Sequence, residues 1–512
     1  LVPGTGSNTE PTLANHPPFT PYATDTAIRR GGDGYFEWLD HVWPAAGCSC
    51  PVRLIGDLHT IDPRTGATLD TVPTSALPDG VIYKACGNRR TTVCPSCAEI
   101  YRRDAYHLIR SGLAGGKTVP VSVAKHPAVF ATFTAPSFGP VHSRHVKTHH
   151  CTDKARCACK PSPCYARRSG TADTCPHGVV FACFDRHDSG DELLGRPFCL
   201  DCYDHNAHVV WNNQAGELWR RTKQTMERHL NRQARLRGLP RVRLSHGKAA
   251  EYQLRGAVHF HVLLRLDGID EGDPTTITAP PAGLTVVDLE EAVRHAAAVT
   301  GHTTAEHPAR PGGWHITWGD PKGTDVRPIT LRGDNPVTDA MVAAYLAKYA
   351  TKGTEVTGHT SRRLDDTTVR LYADPAGTHV ERLIAACWHL GDNDTYEGLR
   401  RWAHMLGFGG HFLTKARRYS ITFTALRQAR IDYRRTDITG PEHSEIRTAE
   451  HTGEETTLII GDLTYAGTGW KTTGDALLAN TAADQARKRR QIGREELAHE
   501  HASAAGTQLT AA

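Results

Sequence analysis

The stretch Gly256–Gly268, GAVHFHVLLRLDG, constrains the fold more than any other in the chain. Val258, Phe260, Val262 and Leu264 alternate with other residues, and side chains on a strand repeat every two positions, so the stretch predicts a β-strand with one face in a core. The opposite face then presents His259 and His261 side by side. Two neutral imidazoles on one rigid strand make a natural divalent-metal site. The pattern alone is not diagnostic. In a chain with 30 histidines His-x-His recurs at His499 and His501, in a polar tail that reads as a solvated helix face.

Two further segments give the strand a context. Glu251 lies eight residues before His259, and Arg255-Gly256 between them reads as a tight turn, since glycine takes the positive φ a hairpin needs. Residues 241–253 and 256–266 then form an antiparallel pair on which a carboxylate can join the imidazoles as a third ligand. Downstream, Thr338–Gly353, TDAMVAAYLAKYATKG, reads as a helix with Thr338 or Asp339 as N-cap and Gly353 beyond its end. Met341, Tyr345 and Tyr349 share one face at i, i+4 and i+8, with Lys348 and Lys352 on an adjacent stripe. An isolated Tyr-x-x-x-Tyr is ordinarily a core stripe, and an isolated Glu on a hairpin is ordinarily solvated.

Taken together, Glu-x7-His-hydrophobe-His followed by YLAKYATK resembles the HUH endonuclease superfamily of rolling-circle replication initiators. The double-tyrosine helix is similar to that of the gene A initiators of small single-stranded DNA phages. Phe130–Thr134, FATFT, resembles their first motif, and the three motifs keep the family order. Across most of its length the chain also resembles replication initiators of actinobacterial integrative conjugative elements and plasmids, through CGNRRTTVCPSC, CLDCYDHNAHVVWN, ELWRRT, GFGGHF and TKARRYS. The resemblance implies an α+β fold: a ferredoxin-like antiparallel sheet as HUH nuclease core, with the tyrosine helix across the metal site. The order strand–helix–strand–strand–helix–strand read along the chain agrees with the split βαβ arrangement.

Thirteen of the 14 cysteines precede residue 203, and no apolar run approaches the length of a membrane span, nor does the start read as a signal peptide. The expectation is a soluble cytoplasmic protein whose Cys-x-x-Cys pairs, Cys94/Cys97 and Cys199/Cys202, bind structural zinc rather than form disulfides. Cys48, Cys86, Cys94 and Cys97 are assigned to one site, with Cys50 competing for a place. In a Cys/His-rich insertion at 140–205, Cys175, Cys183, Cys199 and Cys202 are assigned to another, and His177 or His187 can replace a Cys. Cys387 reads as a buried small hydrophobe.

The expected divisions are a zinc-knuckle region at 1–125, a catalytic domain at 126–355 carrying the insertion, a helical and basic region at 356–436, and a mobile tail at 437–512. Ser111–Thr118, SGLAGGKT, lacks the first glycine of a phosphate-binding loop and precedes Val119-Pro120, so no nucleotide site is assigned and a separate host helicase is expected. The net charge is only +5, but Trp219–Arg243 carries nine Lys or Arg against Glu227, and Lys415–Arg435 seven against Asp432. Arg220, Arg221, Lys223, Lys415, Arg417 and Arg418 are therefore assigned to DNA.

The resemblance implies the chemistry. Tyr345 and Tyr349 are nucleophiles, Lys348 or Lys352 assists, and Glu251, His259 and His261 hold Mg²⁺ or Mn²⁺. The substrate is origin DNA, single-stranded or extruded. A two-tyrosine HUH transposase is the nearest alternative. A non-catalytic zinc protein that binds nucleic acid is another, but it leaves the Glu/His/Tyr constellation without a role.

Overall fold

The structure is a computed structural model. It describes residues 26, 28–62, 64–146, 161–165, 174–273, 275–321, 324–329, 338–357, 363–438 and 458–509. The chain divides into two units, one of residues 1–100 with 439–512 and one of residues 101–438.

In the first unit a long strand, Val52–Ile61, pairs along one edge with Leu458–Thr468 and along the other with Thr68–Pro73 and Ile82–Lys84, all antiparallel. Gly56 sits at positive φ where a Cβ would run into the Asp462 carbonyl, so the close pairing with the C-terminal strand requires glycine. Trp38, Val42, Ala45, Val81 and Tyr83 pack against Leu478 and Ala479 of the helix Thr473–Leu509. Arg29 ties the same regions by pairing with Asp79 at 2.7 Å and Asp475 at 3.0 Å. Residues 458–509, expected as part of a mobile tail, thus supply a strand and a helix here. Their partners are some 400 residues away in sequence, beyond the reach of any local pattern.

The second unit is built on a five-stranded antiparallel sheet. Its strands are β1 (Ala128–Phe133), β2 (Val242–Tyr252), β3 (Val258–Gly268), β4 (Asp325–Pro328) and β5 (Leu413–Lys415), in the order β4-β1-β3-β2-β5. Between β1 and β2 runs α1 (His205–Leu236), and between β3 and β4 runs α2 (Val286–Val299). Asp204 caps α1 by accepting the Ala207 amide, and a reciprocal Thr285/Asp288 capping box starts α2.

Alternation divides the sheet cleanly. Val258, Phe260, Val262, Leu264 and Leu266 join Leu218, Met226 and Leu230 of α1 and Leu289 and Val293 of α2 in the main core. The other face carries Leu263 and Ala249. These pack with Leu108, Ile109, Leu113 and Tyr419, and with Val342, Ala343 and Leu346 of α3 (Asp339–Tyr349). A buried polar knot also sits on this face: Asp267 pairs with Arg265, His126 and Ser245 at 2.6–2.9 Å.

His315–Thr317 pairs with Gly301–Thr303, and β4 adds to β1. One expected division is corrected. Residues 356–436 form no separate region. Leu383, Ile384 and Leu390 of α4 (His379–Leu390) and Leu399, Leu406 and Phe408 lie in the main core, and β5 extends the sheet.

Candidate functional site

The β2–β3 hairpin builds the centre of the site. Gln253 N–H donates to Ala257 O at 2.9 Å and Gly256 turns the chain at φ 86°, which sets Glu251 directly opposite His259. On the other side of β3, Thr132 of β1 is opposite His261. All four side chains point to the face away from α1 and α2.

Three ligand atoms converge there. His259 Nε2 and His261 Nε2 lie 2.8 Å apart, and Glu251 Oε2 is 3.1 and 3.2 Å from them. Adjacent corners of an octahedron with bonds of about 2.1 Å are about 3.0 Å apart, so the triad fits one face of such a site. Thr132 Oγ1 lies 3.1 Å from His261 Nδ1. With the proton on Nδ1 and donated to Thr132, the Nε2 lone pair is left facing the centre. Phe130 stacks on the His261 ring at 5.9 Å and 8°.

Burial alone would push the Glu251 carboxyl up. The hydrogen bonds from His259 and His261, joined by Lys352 Nζ at 3.1 Å, outweigh it and hold the group at about 2. Burial lowers His261 and favours the neutral ring that a metal needs.

The helix α3 crosses this face. Its buried stripe is Val342, Ala343, Leu346 and Ala347, which leaves Met341, Tyr345 and Tyr349 on a different stripe. The tyrosines are therefore not the core stripe of the helix. Tyr345 is 37% exposed and its hydroxyl is 3.3 Å from His261 Nε2. Tyr349 meets Tyr345 edge-on with ring centres 4.5 Å apart, and Lys352 Nζ sits 4.3 Å from the Tyr349 ring centre. Lys348 is farther, 5.9 Å from the same ring. Burial and the neighbouring Tyr349 and Glu251 raise the Tyr345 phenol above its ordinary value, Arg327 acting against them.

Besides this centre the described residues hold three Cys-containing clusters, each with its four ligand atoms within 4.8 Å of one another. Cys48, Cys86, Cys94 and Cys97 come together as assigned, and Cys50 is outside. The Sγ–Sγ distance is 3.7 Å for Cys86 and Cys97 and 3.9 Å for Cys94 and Cys48. A tetrahedral zinc site spaces thiolates about 3.8 Å apart. The insertion corrects the second assignment: Cys175, Cys199 and Cys202 meet His177, not Cys183. Cys183 belongs with His142, Cys164 and His187. The local spacing of Cys199/Cys202 was readable, but nothing in the sequence near His142 points to ligands 22 and more residues away. Such groups could hold a metal such as zinc. Cys151, Cys157 and Cys159 lie outside the described residues.

The six basic residues assigned to DNA lie on two stretches of the chain, α1 and the segment from the end of β5. Arg220 and Arg221 both bind Glu217 at 2.7 Å, and Lys223 binds Glu227 at 2.8 Å. Arg220 and Arg221 line a cleft of about 310 Å³ with Arg228, Gln224 and Thr225 on α1, the helix that covers the opposite face of the sheet. Lys415 Nζ is turned onto the Ser420 carbonyl at 2.8 Å, while Arg417 is exposed and Arg418 partly so. No helix among the described residues is long and apolar enough to cross a membrane.

Comparison with known proteins places this geometry in a context. Residues 34–484 match the family described as RepSA, replication initiator protein, pSAM2. A replication initiator protein of Streptomyces ambofaciens is 40% identical over 474 residues, covering 90% of this chain and 92% of that protein. No solved structure matches.

Proposed function

The chain belongs to the RepSA family of replication initiators, and on that premise we propose that it starts rolling-circle replication by nicking one strand of its origin through tyrosine transesterification. The observation that carries this reading is the convergence of Glu251, His259 and His261 beneath a tyrosine hydroxyl, 3.3 Å from His261 Nε2, with a second tyrosine one helical turn away. The order β1–α1–β2–β3–α2–β4 in a 4-1-3-2 sheet also supports a ferredoxin-like core of the HUH kind.

The phenolic oxygen of Tyr345 attacks the scissile phosphorus. A Tyr–O–P bond forms to the 5′ side, the P–O3′ bond breaks, the phenol proton is lost and the 3′ oxygen takes one up, leaving a 3′-OH to prime synthesis. Such a reaction depends on positioning and charge neutralisation. Glu251, His259 and His261 would hold Mg²⁺ or Mn²⁺, which when bound would supply Lewis-acid polarisation of the phosphate. Imidazole donors favour Mn²⁺. Thr132 and Phe130 fix the His261 ring, and Lys352 orients Glu251 while adding positive charge beside the tyrosines. Tyr349 is placed to make the second cut while Tyr345 holds the first adduct. The partner is origin DNA, presented single-stranded or extruded, and a separate helicase opens the duplex.

The test is covalent capture. The full chain is incubated with Mn²⁺ and single-stranded DNA from its own replicon, and the adduct is resolved on denaturing gels. The expected result is an adduct abolished by His259→Ala and by the Tyr345→Phe/Tyr349→Phe double variant. Origin binding with no adduct under Mg²⁺ or Mn²⁺ would overturn the reading in favour of a non-catalytic zinc-dependent binder. Ordered excision and rejoining of element ends, without priming, would favour the transposase.

A further inference from the structure

The two clusters of the insertion interleave along the chain. Their ligands run His142 and Cys164, then Cys175 and His177, then Cys183 and His187, then Cys199 and Cys202. The first and third pairs form one cluster, and the second and fourth form the other. The loop closed by each cluster therefore contains a ligand pair of the other.

The separations within each suit tetrahedral zinc, which spaces two nitrogens about 3.3 Å apart and a nitrogen and a sulfur about 3.6 Å. His142 Nδ1 is 3.3 Å from His187 Nε2, and Cys183 Sγ is 3.6 Å from that Nε2. In the other cluster Cys199 Sγ is 3.6 Å and Cys202 Sγ 3.2 Å from His177 Nδ1. His187 carries the outer partner expected of a metal-bound imidazole: its Nδ1 meets Asp191 Oδ2 at 2.7 Å.

The backbone joins the clusters to each other and to the hairpin. Tyr165 and Cys183 exchange amide hydrogen bonds at 2.8 and 3.0 Å. Residues 140–142 are zipped to 195–198 by three more, Gly195 N to His142 O, His142 N to Arg196 O and Phe198 N to Pro140 O, at 2.8–3.0 Å. Phe198 also stacks on the His142 ring at 4.2 Å and runs straight into Cys199. Gly195, at φ 84°, lies so close to Leu254 and Arg255 that any side chain there would strike their backbone. Leu254 and Arg255 are the turn between Glu251 and His259. Arg255 is in turn held by the Ala135 and Pro136 carbonyls at 3.1 and 2.9 Å.

We propose that the insertion is a cross-braced module binding two Zn²⁺ ions, one through His142, Cys164, Cys183 and His187 and one through Cys175, His177, Cys199 and Cys202, and that it clamps the turn of the β2–β3 hairpin. A loop segment with so few buried apolar residues cannot hold its own shape by a hydrophobic core, and metal binding supplies the folding free energy instead. The module forms whether or not the chain nicks DNA.

Zinc content of the purified full chain, measured by elemental mass spectrometry, tests it. The clusters among the described residues account for three zinc ions per chain, one at Cys48/Cys86/Cys94/Cys97 and two in the insertion. Cys86→Ser should remove one. Cys183→Ser and Cys202→Ser should each remove both insertion ions, and Cys183→His should retain them. Wild-type protein needs no variant for the second readout. Graded chelation followed by native mass spectrometry should release the insertion ions as a pair, and amide exchange at residues 253–257 should accelerate in step. Zinc content unchanged in Cys183→Ser, independent loss of one ion from each insertion variant, or unaltered exchange at the turn after both ions leave would each overturn the proposal.

Discussion

Tyr345 and Tyr349 have the same chemistry but different surroundings. The Tyr345 hydroxyl faces His261, whereas Tyr349 packs between Tyr345 and Lys352. Tyr345→Phe is therefore expected to lower the first covalent adduct at least about 100-fold, the scale of losing a positioned reacting group. Tyr349→Phe should spare that adduct and lose the second strand transfer, read with a pre-cleaved substrate. Thr132 acts one step further out, through the His261 ring. Thr132→Val should raise the Mn²⁺ concentration needed for half-maximal adduct about 10- to 100-fold, as removal of an outer partner does, with adduct yield restored at high Mn²⁺ and Thr132→Ser recovering the wild-type titration. The two imidazoles and the carboxylate were legible from alternation on a strand and a glycine turn. Thr132 was visible only as a residue in an apolar strand, because its role depends on which strand lies beside β3.

The strand β2 contains a second departure from simple alternation. Lys248 stands on its core-facing side, 5% exposed, with Nζ 3.6 Å from the Phe260 ring centre and 5.9 Å from that of Trp219. His246 shares that side of the strand, where burial lowers its pKa and Lys223, Lys248 and Lys415 add to the effect. Burial pushes the Lys248 ammonium down to about 7. The folded chain thus gives up this proton near neutrality, whereas the unfolded chain keeps it to about 10.4. Stability contributed through Lys248 should rise as pH increases from about 7 towards 10. Lys248→Met should raise the melting temperature at neutral pH and flatten that rise, by a few kcal/mol at most, the ring contact offsetting part of the cost of the buried charge. Thermal denaturation of both proteins across this range checks it. Most elements were readable because their signals are local: the alternation of β3, the turn at Gly256, the alanine-rich α3. Partners beyond a hairpin or a Cys-x-x-Cys turn were harder to read, since β4 could pair with any exposed edge and Cys183 with any nearby thiol.

On the scale of the molecule, the arginine cleft and the Glu/His/Tyr centre lie on opposite faces of one sheet. DNA contacts at Arg220, Arg221 and Arg228 should accordingly add affinity without touching the reaction. The Arg220→Ala/Arg228→Ala variant is expected to bind long origin fragments with a salt slope smaller by up to about two, roughly 0.9 for each phosphate no longer neutralised, while cutting a short single strand at the wild-type rate. Fluorescence anisotropy across a salt series, beside the adduct assay, separates the two effects. The boundaries expected from composition failed at this scale because residues 379–415 complete a core begun at residue 128, and residues 458–509 complete a sheet begun at residue 52. That last pairing has a consequence in time. Asp57 lies opposite Asp462, and at about 5–20 residues per second the ribosome takes roughly 20–80 s to make the intervening chain. Through that interval one edge of Val52–Ile61 is without its strand, so the nascent chain offers that edge to a chaperone or a protease until residues 458–468 have been made, and a chain terminated before them never closes it.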